Sequence, residues 1–150
     1  MREASIDRVV ASWGEKTRGG LAVILKEQDG KRSVPIFIGT PEGHALLLGL
    51  QGLKLQRPMT HDLVDTLVRA MGGKVESVVV SALEANVYYA TLRIAIGKKT
   101  VEIDCRPSDG MNLAARSSSP LYVDESVLDA AGKTDLSGHA PFSVLWPVTE

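Results

Sequence analysis

An order of segments that occurs twice constrains this chain more than any other feature: apolar strand, turn, apolar strand, X-Pro, helix. In the first copy Leu21 to Leu25 is a run of mostly branched apolar residues. Gln28-Asp29-Gly30-Lys31 supplies an Asp-Gly turn signal, and Ser33 to Ile38 returns as the partner strand. Thr40-Pro41-Glu42 then reads as the start of a helix reaching about Gln51, with Thr40 as N-cap and Glu42 beside the positive end of the dipole. In the second copy Val87 to Ile96 and Lys99 to Cys105 flank a Gly97-Lys98 turn, and Arg106-Pro107-Ser108 leads into a helix from Ser108 to about Ser117. The pattern predicts the α+β class: a single domain, a mixed β-sheet of hairpins with packed helices, and an internal pseudo-repeat with Pro41 and Pro107 in equivalent places. Convergence on hairpin-to-helix geometry is the alternative to a true repeat.

The other segments fit around these units. Ile6 to Trp13 reads as a first strand, followed by a turn at Gly19-Gly20. Thr60 is placed to cap a helix from His61 to Met71, whose apolar residues recur at three- and four-residue steps and which Gly72-Gly73 ends. Val75 to Leu83 and Leu121 to Val123 read as strands, and Asp124 as the cap of a helix over Glu125 to Ala131. Pro35 argues for an edge strand or a strand end. The helix from Pro41 is apolar nearly all round, through Ala45, Leu46, Leu47, Leu48 and Leu50, which predicts burial on more than one side and a homo-oligomer. Residues 1–131 are expected to form the domain. Residues 132–150 are expected to be a C-terminal tail whose apolar patch, Phe142 to Trp146, docks on the domain or on a partner subunit.

Composition removes several function classes. The chain has 150 residues, a formal net charge of −1 and a sequence pI near 6.3, so no overall basic field draws it onto nucleic acid, and any polyanion contact is local. Its single cysteine, Cys105, has no intrachain partner, which points to a reducing, cytoplasmic setting. No run approaches the ~18 apolar residues of a membrane span, so no membrane partner is expected. Phosphate-loop, dinucleotide-fingerprint, Gly-x-Ser-x-Gly and His-Glu-x-x-His signatures are lacking.

Chemistry-bearing residues concentrate in two stretches, Arg57-Pro58-Met59-Thr60-His61-Asp62 and Asp104-Cys105-Arg106-Pro107-Ser108-Asp109. Each sets a guanidinium, a hydroxyl residue and a carboxylate around a helix start, where unpaired N–H groups favour anions. Arg57 and Arg106, with Thr60 and Ser108, are candidates for binding phosphate. His61, Asp62 and Asp109 are candidates for acid–base catalysis. Asp104 and Asp109, joined by Glu42, are candidates for holding Mg²⁺ or Mn²⁺. The competing reading is structural: Asp104 paired with Arg57 or Arg106 to fix two loops, and the remaining polar groups serving as caps. His44 reads as a core or interface histidine. Gly110 reads as a place where the helix is loosened or a ligand comes close.

These stretches, together with Val34-Pro35-Ile36-Phe37-Ile38-Gly39 and Pro120-Leu121-Tyr122-Val123, resemble the bifunctional nuclease domain family over roughly Ile6 to Leu128. The sequence departs from that pattern at Gly43-His44 and at Gly110-Met111-Asn112. The resemblance implies a small α+β domain and a metal-assisted nuclease acting on phosphodiester bonds of RNA or DNA. A non-enzymatic homo-oligomeric binding or regulatory module, with an anion-binding Arg-Pro pocket, is the alternative.

Overall fold

Both predicted hairpins form, and each belongs to a three-stranded antiparallel meander that runs directly into a helix. A computed structural model describes residues 1–12, 20–136 and 142–147, so Trp13 and Gly19 of the predicted first strand and turn lie outside the described residues. The first meander is β1 (Arg2–Ser12), β2 (Leu21–Glu27) and β3 (Ser33–Ile38), followed by α1 (Thr40–Leu50). The second is β4 (Gly73–Glu84), β5 (Val87–Ile96) and β6 (Lys99–Cys105), followed by α3 (Pro107–Ser117). Between them lies α2 (Thr60–Ala70), and after them come β7 (Leu121–Val123), α4 (Glu125–Ala131) and β8 (Phe142–Trp146).

The meanders join into one mixed sheet in the order β3-β2-β1-β7-β4-β5-β6, and β8 pairs with β1 outside this path. The three residues of β7 are the seam, antiparallel to β1 at Arg2–Ala4 and parallel to β4 at Val78–Val80. Register shifts in β1 and β4 mark bulges, which bend a strand and tighten its twist. The sheet curls enough for α4 to touch both β3 and β4, four positions apart in the order. Arg32, after the β2–β3 turn, strengthens that closure through ion pairs to Glu27 at 3.1 Å, Glu125 at 2.7 Å and Asp129 at 3.0 Å. The tail strand β8 adds antiparallel to β1, with Val10 opposite Val144.

One core runs through both halves. Val9, Val23, Leu25 and Val34 from the first meander, Val78 and Val80 from the second, Leu46, Met111 and Leu128 from helices and Val123 from β7 are all essentially sealed from solvent. Burying each such side chain is worth about 1.5–3 kcal/mol against leaving it exposed.

Three details correct the sequence reading. Thr40 and Thr60 are the first helical residues rather than caps: Gly39 and Met59 hold the extended N-cap positions, and Ser108 likewise lies inside α3, capped at Arg106. The leucines of α1 are covered or half-covered within the chain, so the large apolar side chains left exposed sit elsewhere, on α2, β3, β5, β6 and β8 and in the segment after α1 among other places. Gly110 faces the sheet, where an added Cβ would lie 2.6 Å from Cγ1 of Val78 and 3.3 Å from Sγ of Cys105; the glycine serves helix–strand packing.

Candidate active site

The starts of α1, α2 and α3 converge, and each brings a carboxylate in its first turn: Glu42, Asp62 and Asp109. Convergence follows from packing, since α3 lies against both α1 and α2. Helix starts carry partial positive charge, so acidic residues are stabilised there before any side chain pairs with them.

Two polar chains are built on this base. In the first, Nε2 of His61 lies 2.9 Å from Oδ1 of Asp109. The Arg106 guanidinium donates to both oxygens of Asp109, from Nε at 2.9 Å and Nη2 at 3.1 Å, and Nη2 also donates to Oε1 of Glu42 at 3.1 Å. His61 is nearly sealed, its side chain 10% exposed, whereas Arg106 is 64% exposed and closes the chain against solvent. In the second, Nε of Arg116 donates to Oδ1 of Asp62 at 2.6 Å, and the other Asp62 oxygen accepts the Met59 backbone N–H at 2.9 Å. Arg116 also donates to Oδ1 of Asn112 at 2.9 Å and to the carbonyl of Ala45 at 3.2 Å. The fully buried Asn112 amide donates to the carbonyls of Glu42 and Ser108. Arg116 and Asn112 thus pin α1, α2 and α3 to one another.

The charges follow these contacts. Burial pushes the Asp109 carboxyl up, but the Arg106 and His61 hydrogen bonds outweigh it and hold the group below the usual carboxylate range. Asp62 is held low by Arg116 and then by the Met59 N–H. Arg106 is held above its ordinary value by Asp109 and then Glu42. Cys105, beside this site, is pushed up to about 11 by burial and by the nearby Asp109 and Asp104, so at neutral pH it is a thiol and a poor nucleophile.

Of the residues singled out from sequence, the fold brings Glu42, His61, Arg106 and Asp109 into one bonded chain and Asp62 into the adjoining one. Asp104 is exposed at the end of β6, opposite Thr91, and Arg106 pairs with Asp109 and Glu42 instead of with it. Arg57 is exposed and stands outside both chains, as does Thr60; Ser108 is buried with its carbonyl accepting from Asn112. His44 is exposed rather than buried in the core. Glu42 and Asp109 do not fit a divalent cation as they stand, because the Arg106 guanidinium occupies the space between them. Among the described residues no group of three His, Cys, Asp or Glu side chains is placed to hold a metal.

Asn112 and Arg116 escaped the sequence reading, although the signal was there. Ser108, Asn112 and Arg116 recur at i, i+4 and i+8, a polar stripe on a helix whose neighbouring positions are buried. On the far side of Asp62 and Arg116 opens a groove of about 520 Å³ lined by Lys54, Asp65 and Arg69 among others; Asp65 is buried and ion-paired with Arg69. Gly49 borders Arg116, where a Cβ would come within 2.7 Å of Nη1.

Comparison with known proteins converges on one family. The model of the bifunctional nuclease domain matches residues 23–135, a span that includes every residue of both polar chains. An uncharacterised protein of Mycobacterium tuberculosis is 37% identical over 125 residues, covering 83% of this chain and 74% of that protein. Bifunctional nuclease 2 of Arabidopsis thaliana is 31% identical over 108 residues and bifunctional nuclease 1 of Oryza sativa subsp. indica 30% identical over 110 residues. These matches cover 69% and 71% of this chain but 33% of each plant protein, so the chain corresponds to about a third of their length. With the family model matched over residues 23–135, most of its length, the chain belongs to the bifunctional nuclease domain family.

Proposed function

We propose that this chain is a nuclease that cleaves phosphodiester bonds of RNA or DNA, working in the cytoplasm as a homo-oligomer, with His61 as its acid–base group and Asp109 as the residue that positions it. The observation that carries this reading is the His61–Asp109–Arg106 chain. With Nε2 hydrogen-bonded to Asp109, a neutral His61 carries its proton on Nε2 and leaves Nδ1 with a lone pair. Nδ1 has no partner among the described residues, and it is not among the buried atoms sealed from solvent. It can therefore accept a proton from an attacking hydroxyl or water while Asp109 stabilises the imidazolium that forms. The same proton returns to the leaving oxygen, which balances the step. Arg106, mostly exposed and held protonated by its carboxylate partners, offers its guanidinium to a phosphate at the solvent end of the chain. Asp62, saturated by Arg116 and Met59, is assigned to structure. The names of the plant relatives support the reaction class. Mg²⁺ or Mn²⁺ could bind at Glu42 and Asp109 only by displacing Arg106.

The test is cleavage of single-stranded RNA and DNA by the purified chain with Mg²⁺, with Mn²⁺ and with chelator. His61→Ala is expected to lower kcat by about 10²–10⁴-fold. Asp109→Asn is expected to lower it less and to move the pH profile, because an amide neither orients nor charges the imidazole as a carboxylate does. No cleavage in any arm, or wild-type rates in both variants, would sink the proposal.

A second reading has its own observation. Both oxygens of Asp109 are taken up by Arg106 and His61, as in a structural joint, and the exposed Arg106 suits an anion ligand. Retention of RNA without cleavage, abolished by Arg106→Ala, would establish that binding module instead.

A further inference from the structure

The side chains that α2 buries are polar. Its two buried residues are His61 and Asp65, one helical turn apart, while Leu63 and Leu67 on the same helix are each 50% exposed. Asp109 of α3 accounts for His61, but among the described residues no other element supplies a partner to Asp65. Its side chain is 5% exposed, and its partner is Arg69 on the same helix, itself 67% exposed. That contact engages Oδ2. Oδ1 has no partner among the described residues, and it is not among the buried atoms sealed from solvent. A carboxylate withdrawn so far from water costs free energy unless hydrogen bonds compensate it. The space that Asp65 borders is the groove of about 520 Å³, a volume typical of small-molecule sites.

The rest of the lining restricts what can enter. Gly49 and Gly52 at the end of α1 and Ala115 and Ser118 at the end of α3 border the groove, and helix C-termini carry partial negative charge. Together with Asp65 they favour hydrogen-bond donors. Leu53 and Leu55, each 54% exposed, and Pro58 add apolar surface suited to the face of a flat ring. A protonated amine would also satisfy Asp65, but Lys54 and Arg69 are exposed at the opening, where they repel a cation and attract an anion. The ligand therefore combines a planar, donor-bearing ring with an anionic group.

We propose that the groove is a binding site for a guanine nucleotide, with Asp65 accepting from the N1–H and the N2 amine of the base and with Lys54 and Arg69 at its phosphate. An ionised carboxylate only accepts, and its two oxygens offer about four lone-pair directions, so Oδ2 can serve both Arg69 and the base. Guanine alone among the common bases carries two adjacent donors on one edge; adenine and cytosine set a donor beside an acceptor, and uracil flanks its single donor with acceptors. Asp65 lies four residues after His61, about 6 Å along the helix axis. On the nuclease reading, and resting on it, the groove selects the guanine beside which a strand is cut; the binding itself stands without that reading.

Isothermal titration of the purified chain with nucleoside monophosphates tests the site. GMP is expected to bind at least about tenfold more tightly than IMP, which lacks the N2 amine, and than AMP, CMP or UMP. Asp65→Asn, which turns one acceptor into a donor, is expected to bring GMP to within about twofold of AMP. Lys54→Glu, at an exposed position, is expected to weaken GMP and AMP alike by about fivefold and to leave guanosine, which has no phosphate, unchanged. A phosphorothioate-linked trinucleotide with guanosine at its centre, which resists cleavage, separates the two sources of the base: tighter binding than GMP assigns it to a strand, and equal binding to a free nucleotide. No binding of GMP at millimolar concentration, equal affinity for GMP and IMP in the wild type, a GMP preference that survives Asp65→Asn, or indifference to Lys54→Glu would each overturn the proposal. Guanine-selective binding without cleavage of any strand would leave this site standing and sink the nuclease reading alone.

Discussion

Arg116 fixes the relation between three helices with one side chain. It is 9% exposed, donates to Asp62, to both oxygens that Asn112 offers and to the Ala45 carbonyl, and sits where Gly49 leaves room for it. Arg116→Ala would strand a partly buried carboxylate and remove a donor from three further acceptors, so a loss on the order of 2–4 kcal/mol is expected in denaturant unfolding. Arg116→Lys should recover only part of it, since one ammonium cannot reproduce a planar fork of donors. The same contacts set a pH dependence. Asp62 and Asp109 bind protons less readily when folded than when unfolded, because Arg116 holds the first low and Arg106 and His61 outweigh burial at the second. Their contribution to stability is complete above the unfolded carboxylate value of about 3.9 and is lost as pH falls below it through the folded values. Denaturant midpoints measured from about pH 6 down to about pH 3 should therefore drop at the acid end, and Asp62→Asn should flatten part of that drop. A slope unchanged in the variant would show that Asp62 does not carry it.

At the scale of elements, most of the fold was legible, because strand alternation and turn signals are local. Val87 to Ile96, Lys99 to Cys105, Leu121 to Val123 and Glu125 to Ala131 have the boundaries their patterns announce, and Asp124 caps α4 with a 2.9 Å bond from the Ser126 N–H. Helix caps were less legible: Gly39 and Arg106 take the cap position ahead of a proline in the first turn and Met59 takes it directly after Pro58, each extended and none with a hydroxyl. The candidate site was legible in its residue types but not in its pairings. Arg106 bonds Glu42, 64 positions earlier, rather than its near neighbour Asp104, and no local pattern encodes which helix start will face which. Gly110 shows the same limit, being costly by helix propensity yet required by packing. Gly110→Ala would gain about 1 kcal/mol of propensity but push a methyl to 2.6 Å from Val78, and overpacking of that kind costs about 1–3 kcal/mol. A net loss in thermal or chemical unfolding is expected; a more stable variant would show that the helix can shift away from β4.

For the whole molecule, the question is whether two meander-and-helix units make two folding units. Each ends on a helix with proline in its first turn, and the sheet order and strand directions relate them by an approximate two-fold rotation near β7. Yet the core does not divide: Met111 of α3 and Val127 of α4 belong to the same cluster as Val9, Val23 and Leu46, and Arg116 ties α3 to α1. Among the described residues only β7 bridges the meanders within the sheet, through three residues. The Asp124 N–H donates to the Val80 carbonyl and the Val78 N–H to the Pro120 carbonyl, and the two-residue period of the ladder therefore aims the Tyr122 N–H at β4. Tyr122→Pro removes that donor at the centre of the seam, at a cost on the order of 2–3 kcal/mol. If the halves are one cooperative unit, amides of β2 and β5 lose hydrogen-exchange protection together in this variant, and both follow a single denaturant transition at a lower midpoint. If β1–β2–β3 keeps its protection after β4–β5–β6 has lost it, the chain is two units with a shared seam, and the continuous core contributes less to cooperativity than its burial indicates.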